Sequence, residues 1–369
     1  MEFSDLPEID DFRSIILNNT PLLDVRAPVE FAQGSLPNAE NRPFINDEER
    51  HEIGLRYAEL GQDAAIDLGH ELVKGELKDQ RISQFLRFTD KHPEGILFCW
   101  RGGMRSKFSQ QWLFDTTGIR YPRVKGGYKA LRRFLIDEIE QISPALKLFV
   151  VGGRTGVGKT IFLNNTPNSI DLEGMANHRG SAFGIHPTPQ PTQVNFENRV
   201  AIELIKHRAA NAPYLLVEDE GRNIGGRHVP VPLYEEMINA PRLMLDISVE
   251  ERIDITHQEY IHEALAEYCD AVGGNDEKGF EAWAEYLLGS LDKIRKRLGG
   301  QRHQELRTTM ERAIDEQRKS GKSELHRDWI RALLVDYYDP MYDYQLSHKE
   351  KTIVFTGSPA EIRQYLKQY

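Results

Sequence analysis

Short apolar runs alternate with amphipathic segments over most of the chain, which is the pattern of an α/β protein. Runs at 96–98 and 148–151 predict buried strands, and each leads into a glycine-rich turn and then a helical segment. An earlier run at 21–26 predicts a strand ahead of a helix that begins near Pro28. Between 46 and 92, alternating charged and apolar positions predict a helix-rich insert.

The C-terminal third carries apolar residues at spacings of three and four, which predicts helices. The predicted helices are 249–272, 280–298, 301–319 and 323–338. A strand at 352–356 and a helix at 359–367 follow them. We expect this last pair to complete the sheet that starts at 148, so that the helices form an excursion from that domain.

Cys99, which follows the predicted strand at 96–98, is the strongest candidate for chemistry. Cys99 is one of only two cysteines in the chain, and it precedes a turn aimed at a helix N-terminus. Helix dipoles and adjacent positive charges favour the thiolate form of a cysteine. We therefore predict that Cys99 is a nucleophile and that Arg105 assists it. The residues predicted to support the loop are Arg101, Gly102, Gly103 and Ser106.

The spacing from Cys99 to Arg105 is C-x5-R, which fits two classes of protein. One class is the cysteine-dependent phosphatases, and the other uses a longer variant of the rhodanese persulfide loop. Phe98 stands where the phosphatases usually have a histidine, which weighs against the first class. The segment upstream of the cysteine distinguishes the two.

That upstream segment, LLDVRAPVEFAQGSLPNAENRPF at 22–44, resembles the opening of a rhodanese domain. VKGGYKA at 124–130 is similar to the glycine pair before the last rhodanese helix. The resemblance implies that Cys99 carries sulfur or selenium, while loop amides and Arg105 stabilise the anionic terminal atom. The loop is one residue longer than in ordinary rhodaneses, so we expect a wider pocket that suits a chalcogen still attached to phosphate.

The second glycine-rich turn, GRTGVGKT at 153–160, is a complete G-x4-G-K-T phosphate loop between a strand and a helix. Its backbone amides cradle phosphate oxygens, its lysine adds a positive charge, and its hydroxyl is a ligand for a metal ion. Such a loop usually binds ATP or GTP, although it recognises only the diphosphate. The predicted diphosphate-binding residues are Gly153, Thr155, Gly156, Gly158, Lys159 and Thr160.

An apolar strand that ends in acidic residues is the expected partner of a phosphate loop. The segment 214–220 has this pattern, and it supplies Glu218, Asp219 and Glu220 as candidate residues for Mg2+. Of these, Asp219 or Glu218 is predicted to lie on the metal side.

Composition restricts the function classes further. The 369 residues are 40% hydrophobic and 28% charged, which fits a soluble globular protein of two or three domains. The chain has no run of eighteen apolar residues and no signal-like N-terminus, so we expect a cytoplasmic protein without a membrane partner. Two widely separated cysteines exclude a disulfide framework and a cysteine-rich zinc site.

Positive charge is concentrated around the cysteine although the net charge is -10. The segment 99–133 contains nine Lys or Arg residues and one acidic residue, which favours a phosphate-rich partner. The predicted nucleic-acid contacts are Arg123, Lys125, Lys129, Arg132 and Arg133. A second segment, 291–335, has twelve basic and seven acidic residues and is equally consistent with a solvated helix face.

Three further segments, at 172–184, 190–197 and 218–225, are unusually rich in small and polar residues. Together with the rhodanese-like opening and the phosphate loop, they resemble the tRNA 2-selenouridine synthase family over nearly the whole chain. Candidate site residues within these segments are Asn177, His178, Arg179, Ser181 and Arg222.

The family resemblance implies an α/β fold with two domains. A rhodanese-like domain at 1–140 is followed by a P-loop NTPase-like parallel-sheet domain at 141–369. Within the second domain we expect a helical subdomain at about 249–338 and a returning strand and helix at 350–369.

The resemblance also implies an activity. It is the replacement of sulfur by selenium in the wobble-position 2-thiouridine of tRNA, with selenophosphate as donor, after S-geranylation of that sulfur from geranyl diphosphate. Cys99 would serve selenium transfer, the phosphate loop would hold the diphosphate without a need for NTP hydrolysis, and the basic segments would contact tRNA. No tightly bound cofactor is expected, and the sequence leaves the use of Mg2+ and the metal ligands open.

Two other functions remain open on the residues alone. One is a P-loop kinase or NTPase that is regulated by a rhodanese module. The other is a non-catalytic tRNA-binding protein.

Overall fold

The computed structural model describes residues 3–348 and 352–369, and it divides the chain into two compact units. The first unit consists of Met1–Ile142 and Thr192–Ala210, and the second consists of Ser143–Pro191 and Asn211–Tyr369. Both units contain a parallel sheet with helices, so the predicted α/β class is confirmed. None of the described helices is long and apolar enough to cross a membrane.

The first unit is built on a five-stranded parallel sheet with the order β1-β5-β4-β2-β3. Its strands are β1 (Glu8–Ile9), β2 (Leu22–Asp24), β3 (Ala39–Asn41), β4 (Ile96–Phe98) and β5 (Arg123–Val124). Its first six helices are α1 (Phe12–Leu17), α2 (Pro28–Gln33), α3 (Asp47–Leu72), α4 (Gly75–Lys91), α5 (Met104–Thr117) and α6 (Gly127–Ile142). All residues of β4 are buried, and Cys99 follows this central strand at its carboxyl end.

The helices α3 and α4 form the insert that the sequence predicted. An Asn46–Glu49 capping box starts α3, and the positive φ of Gly61 interrupts its helical geometry. Ala65 of α3 and Phe85 and Phe88 of α4 are buried. The insert is therefore packed onto the first unit through an apolar face.

The N-terminus of α6 is bonded directly to the cysteine loop. The Tyr128 N–H donates to the Cys99 carbonyl at 2.9 Å, and the Lys129 N–H donates to the Trp100 carbonyl at 2.9 Å. Gly127 has a φ of 61°, and a Cβ on it would collide with the Cys99 carbonyl oxygen. Only glycine therefore allows this approach.

The second unit begins with a 3-10 turn at Ser143–Ala145 and is built on a four-stranded parallel sheet with the order β11-β10-β6-β7. Its first elements are β6 (Leu148–Gly153), α7 (Lys159–Asn164) and α8 (Leu172–Ala176). After α9 (Gln193–Ala209), which belongs to the first unit, come β7 (Leu215–Glu218), the antiparallel pair β8 (Asn223–Ile224) and β9 (Arg227–His228), α10 (Val231–Asn239) and β10 (Arg242–Leu245).

A bundle of helices then separates β10 from the last strand. It comprises α11 (Val249–His257), π-helical Gln258–Glu263, α12 (Ala264–Ala271), α13 (Asp276–Lys293), α14 (Arg295–Leu298), α15 (Gly300–Ser320), α16 (His326–Leu333), π-helical Leu334–Tyr338 and α17 (Asp339–His348). Trp283, Met310 and Trp329 are buried in its own core. The strand β11 (Ile353–Gly357) pairs with β10 and the helix α18 (Pro359–Leu366) follows, so the predicted return to the sheet is confirmed.

The helix α9 corrects the predicted domain assignment, because the sequence placed its residues in the second domain. Asn198 is fully buried, accepts from Arg132 Nη1 at 2.9 Å, and donates to the Ser35 carbonyl at 2.8 Å. The partners of its polar face therefore lie in the first unit. The apolar spacing of a helix does not encode which core it covers.

Replacing Gly127 with alanine should destabilise the first unit by about 2 kcal/mol or more, since the new Cβ meets the Cys99 carbonyl at a strained φ. Chemical denaturation followed by circular dichroism measures the change. The matched control is Gly54→Ala in α3, whose Cβ would meet no atom within 4 Å. A Gly127→Ala protein as stable as Gly54→Ala would contradict the packing described here.

Candidate functional site

Cys99 is held in the interior of the first unit beside a buried hydroxyl. The residue is 3% exposed, and its Sγ lies 3.2 Å from Ser106 Oγ. The Ser106 hydroxyl also lies within 3.0 Å of the Gly103 carbonyl, to which it donates. Since α5 begins at Met104, the unpaired N–H groups of its first turn start directly after this loop.

Arg105, which the sequence predicts to assist the cysteine, is paired with a carboxylate. Its guanidinium donates to Glu30 through two hydrogen bonds of 2.5 and 3.0 Å. Burial alone would raise the pKa of Glu30, but the hydrogen bond and charge of Arg105 outweigh burial and hold that pKa below its ordinary value. Arg105 therefore meets a carboxylate that sequence reasoning had not assigned to the site, and its positive charge is balanced at rest.

Asp24 and Arg26, from the segment 22–44, have a structural role next to the cysteine loop. Arg26 is fully buried, donates to both Asp24 carboxylate oxygens, and bonds to the Gly34 carbonyl at 2.8 Å. Its guanidinium also lies 3.9 Å from the centre of the Tyr128 ring and 5.9 Å from that of Trp100. Arg26 thus ties β2 to both the loop and the start of α6.

The phosphate loop lines a cavity of about 930 Å³ in the second unit. All six residues predicted to bind diphosphate line it, namely Gly153, Thr155, Gly156, Gly158, Lys159 and Thr160. Another part of the lining is largely apolar and comes from α10 and α17. Its members are Tyr234, Met237, Ile238, Met341, Tyr342 and Leu346.

The helical bundle clamps the phosphate loop in place. Arg252 of α11 donates to the Thr155 carbonyl at 3.0 Å and forms a buried pair with Asp339 of α17 at 2.7 and 2.9 Å. The Gly153 N–H donates to Tyr342 Oη at 3.0 Å. These contacts join α11 and α17 of the excursion to the phosphate loop.

The acidic residues near the loop are arranged differently from the prediction. Glu218 is fully buried, does not line the cavity, and accepts from the Leu172 N–H at 3.0 Å. Burial, with Asp171 and Glu173 nearby, raises its pKa well above the usual range, so its neutral form is favoured. Of the two residues that the sequence predicts for the metal side, Glu218 therefore does not face the cavity, whereas Asp219 lines it.

Glu173 is the carboxylate bonded to the threonine of the phosphate loop, and Glu220 lies next to Glu173. Thr160 Oγ1 donates to Glu173 Oε2 at 3.2 Å, and both glutamates line the cavity together with Asp219. Burial and the neighbouring Glu173 raise the pKa of Glu220 well above its ordinary value. Glu173 lies within one of the segments that resemble the family, but nothing in its sequence context distinguished it from its neighbours.

Within the described residues, no group of three or more His, Cys, Asp or Glu side chains has the geometry of a metal site. Thr160, Glu173 and Glu220 nevertheless offer a hydroxyl and two carboxylates. Mg2+ is usually bound by one or two carboxylates together with substrate phosphates, and this set fits that preference.

Glu259 and the half-buried Arg179 complete the polar end of the cavity. Arg179 pairs with Glu267 at 2.7 Å and with Glu259 at 3.5 Å. Burial raises the pKa of Glu259 to about 7, although Arg179 opposes the shift. Ser181, which also lines the cavity, lies 3.0 Å from Tyr260 Oη.

The remaining candidates of these segments lie outside the cavity lining. Asn177 has a φ of 52° at the end of α8 and donates to Thr188 and Pro189. His178 Nδ1 accepts from the Gly180 N–H at 3.1 Å, so it holds the turn that carries Arg179 and Ser181. Arg222 is exposed at the start of the β8–β9 hairpin.

The predicted nucleic-acid contacts separate into buried and exposed residues. Arg123 is 8% exposed and bonds to Gln110 and the Gly102 carbonyl, which does not fit a role on a nucleic-acid surface. Arg132 pairs with Glu197 of α9. Lys125, Lys129 and Arg133 are exposed, and their contact with RNA stays a prediction.

The second basic segment has many acidic partners. Arg307 pairs with Asp292 at 3.0 Å, and Arg331 pairs with Glu250 at 2.6 Å. These pairs favour the interpretation of 291–335 as a solvated helix face over that of a nucleic-acid surface.

Asp339→Asn should destabilise the second unit by about 3 kcal/mol, because it leaves the buried Arg252 charge without its carboxylate. It should also weaken binding of inorganic pyrophosphate, which calorimetry measures, since Arg252 holds the Thr155 carbonyl. The control is Asp343→Asn in the same helix, which breaks an exposed pair with Arg154 and should cost under about 1 kcal/mol. Equal losses of stability and of pyrophosphate affinity in the two variants would contradict this role of the Arg252–Asp339 pair.

Glu259 should make the second unit less stable as pH rises. Its pKa in the folded chain is about 7, above the ordinary value of 4.5, so between these values the folded state binds the extra proton. Stability from this group is fully present below pH 4.5 and is lost as pH rises through 7. The stability of Glu259→Gln minus that of the wild type, measured by thermal unfolding, should therefore be larger at pH 8 than at pH 5. A difference independent of pH would refute the assignment.

Named relatives are similar to this chain over nearly its whole length, and a family model matches its second half. A solved structure, the N-terminal domain of a proposed ATP/GTP binding protein from Clostridium difficile 630, is 30% identical with a TM-score of 0.32, covering 35% of this chain and 98% of that one. A family model described as the tRNA 2-selenouridine synthase AAA domain matches residues 146–369. Two relatives named tRNA 2-selenouridine synthase come from Marinobacter nauticus, at 51% identity and 98% coverage of both chains, and Alcanivorax borkumensis, at 50% identity and 96% and 98% coverage. The chain therefore belongs to the tRNA 2-selenouridine synthase family.

Proposed function

We propose that this chain replaces the sulfur of wobble-position 2-thiouridine in tRNA with selenium, in two steps that use geranyl diphosphate and selenophosphate. The observation that carries the proposal is the similarity to relatives named tRNA 2-selenouridine synthase over 96–98% of the chain. Both units contribute, because the cysteine site lies in one and the phosphate loop in the other.

The first step is S-geranylation at the phosphate loop. The thiouridine sulfur attacks C1 of geranyl diphosphate, the S–C1 bond forms, and the C1–O bond breaks as diphosphate leaves with the electron pair. Lys159 and the loop amides bind the leaving diphosphate. The apolar wall with Met237, Ile238 and Leu346 suits a prenyl chain, whose burial contributes roughly 0.8 kcal/mol per methylene.

Mg2+ would be held by Thr160, Glu173 and Glu220, which offer oxygen ligands beside the loop. When bound, it would neutralise negative charge on the departing diphosphate. Arg179, and the raised pKa of Glu259, reduce repulsion at the same end of the cavity.

The second step takes place at Cys99. The selenium of selenophosphate attacks C2 of the uracil ring, the C2–Se bond forms, and the C2–S bond breaks as geranylthiolate leaves. Water then attacks phosphorus, the P–Se bond breaks, and phosphate is released. We assign Cys99 to this selenium transfer. The Ser106 Oγ lies 3.2 Å from its sulfur. The exposed Lys125, Lys129 and Arg133 would contact tRNA phosphates in the same unit.

A P-loop kinase or NTPase is the second candidate function. The observation that favours it is the hydroxyl and carboxylate set at Thr160, Glu173 and Glu220, which also suits a nucleotide-bound Mg2+. It predicts nucleotide turnover that is lost in Lys159→Ala.

The two steps should separate by mutation when nucleosides are analysed by mass spectrometry. With thiouridine tRNA, geranyl diphosphate and selenophosphate, Cys99→Ser should accumulate S-geranyl-2-thiouridine and form no selenouridine. Lys159→Ala should lower S-geranyl formation at least about tenfold, because the diphosphate loses a direct positive charge. An exposed matched control is Lys206→Ala on α9, whose ion pair with Glu203 is solvated.

Retained selenouridine formation in Cys99→Ser would contradict the role of the cysteine. Nucleotide hydrolysis by the wild type, with no change in any tRNA nucleoside, would support the NTPase instead. Binding of tRNA with no change in its nucleosides would favour a non-catalytic protein.

A further inference from the structure

A second large cavity lies against the cysteine loop in the first unit, and neither step described above uses it. Its volume is about 840 Å³. One wall is α3 of the insert, and the other is the segment 101–105 with the start of α5. The cavity therefore opens beside the residues that immediately follow Cys99.

The interior of this cavity is apolar. Ile53, Ala65 and Ile66 line it from α3, and Met104, Phe108 and Trp112 line it from α5. Phe108 and Trp112 are each 7% exposed, so the floor of the cavity belongs to the core of the unit. Transfer of an apolar chain from water into a cavity with such walls is favourable, whereas transfer of a polar chain is not.

The rim of the cavity is positively charged. Arg50, Arg101, Arg105 and Lys107 line it, together with His51 and His70, whereas no Asp or Glu is among its described lining residues. Glu30 balances Arg50 and Arg105 from outside the lining. Arg101 is exposed and Lys107 half-buried, so both are positioned to attract an anionic group at the mouth.

An apolar interior beneath a basic rim fits a ligand with an apolar chain attached to a phosphate-bearing body. We propose that this cavity receives the prenyl chain of S-prenylated 2-thiouridine, while the flanking phosphates of the tRNA lie against Arg101 and Lys107. The proposal rests on the proposed function and deepens it. The chain in the cavity places the C2–S bond beside the cysteine loop, and geranylthiolate leaves into the same apolar space when that bond breaks.

The insert thereby acquires a role in substrate selection. A uridine with an unmodified sulfur has no chain to fill the cavity, so it binds more weakly than the prenylated one. Selection at this step would favour selenium transfer to nucleosides that already carry a good leaving group.

Binding of short RNA hairpins tests the assignment. The full chain with Cys99→Ser is titrated with hairpins that carry S-geranyl-2-thiouridine or S-methyl-2-thiouridine at the wobble position. The S-geranyl hairpin should bind about tenfold more tightly or better, because nine additional carbons leave water. Adding Ile66→Asp should remove most of this preference while the affinity for the S-methyl hairpin is retained.

The matched control is Leu60→Asp in the same helix, since Leu60 is 65% exposed and does not line the cavity. It should keep the full preference for the S-geranyl hairpin. Circular dichroism establishes that each variant is folded. If Ile66→Asp does not fold, the rate of selenouridine formation by the unaltered chain, measured with S-methyl, S-dimethylallyl and S-geranyl hairpins, should rise with chain length.

Two results would overturn the proposal. One is a preference for the S-geranyl hairpin that Ile66→Asp leaves intact, or that Met237→Asp in the phosphate-loop cavity removes instead. The other is a selenation rate independent of chain length. In either case a wild-type chain that still converts S-geranyl tRNA to selenouridine leaves the proposed function standing, whereas absence of that conversion refutes the function itself.

Discussion

Close contact between backbone segments at glycine holds both candidate sites together. Gly127 lies against the Cys99 carbonyl, so the next two N–H groups of α6 bond directly to the cysteine loop. In the second unit, a Cβ on Gly156 would lie only 2.5 Å from Thr256 Oγ1, so the phosphate loop packs directly on α11. Each loop is therefore fixed by the packing of its backbone.

Charge near both loops is balanced before any ligand binds. Glu30 neutralises Arg105 beside the cysteine, and Glu267 and Glu259 flank Arg179 at the phosphate loop. Burial also raises the pKa of Glu259, which lowers the negative charge that an incoming diphosphate meets. An anionic substrate at either site therefore meets arginines that already have carboxylate partners, and it replaces or reorganises those contacts.

The sequence predicted the parts of each site that are local in the chain. The strand, cysteine and glycine turn at 96–103 and the phosphate loop at 153–160 follow from short patterns, because turn geometry and strand burial depend on neighbouring residues. It did not predict Glu30, Tyr342 or the role of α9, whose contacts join residues far apart in the chain.

The charge of a residue in the sequence is a weak indication of its role in the fold. Arg123 was predicted to face nucleic acid, but it is buried and bonded to the Gly102 carbonyl. Glu218 was predicted to face a metal ion, but its carboxylate points to the Leu172 N–H. A sequence gives the sign of a charged residue, while its partner, and hence its role, depends on the tertiary structure.

The central claim is that geranylation precedes and enables selenium transfer, and its most direct measurement uses two tRNA substrates without geranyl diphosphate. The wild-type chain is incubated with selenophosphate and either thiouridine tRNA or tRNA that is already S-geranylated, and the nucleosides are quantified by mass spectrometry. We predict selenouridine from the S-geranylated tRNA and none from the thiouridine tRNA. Equal conversion of both tRNAs would contradict the two-step account.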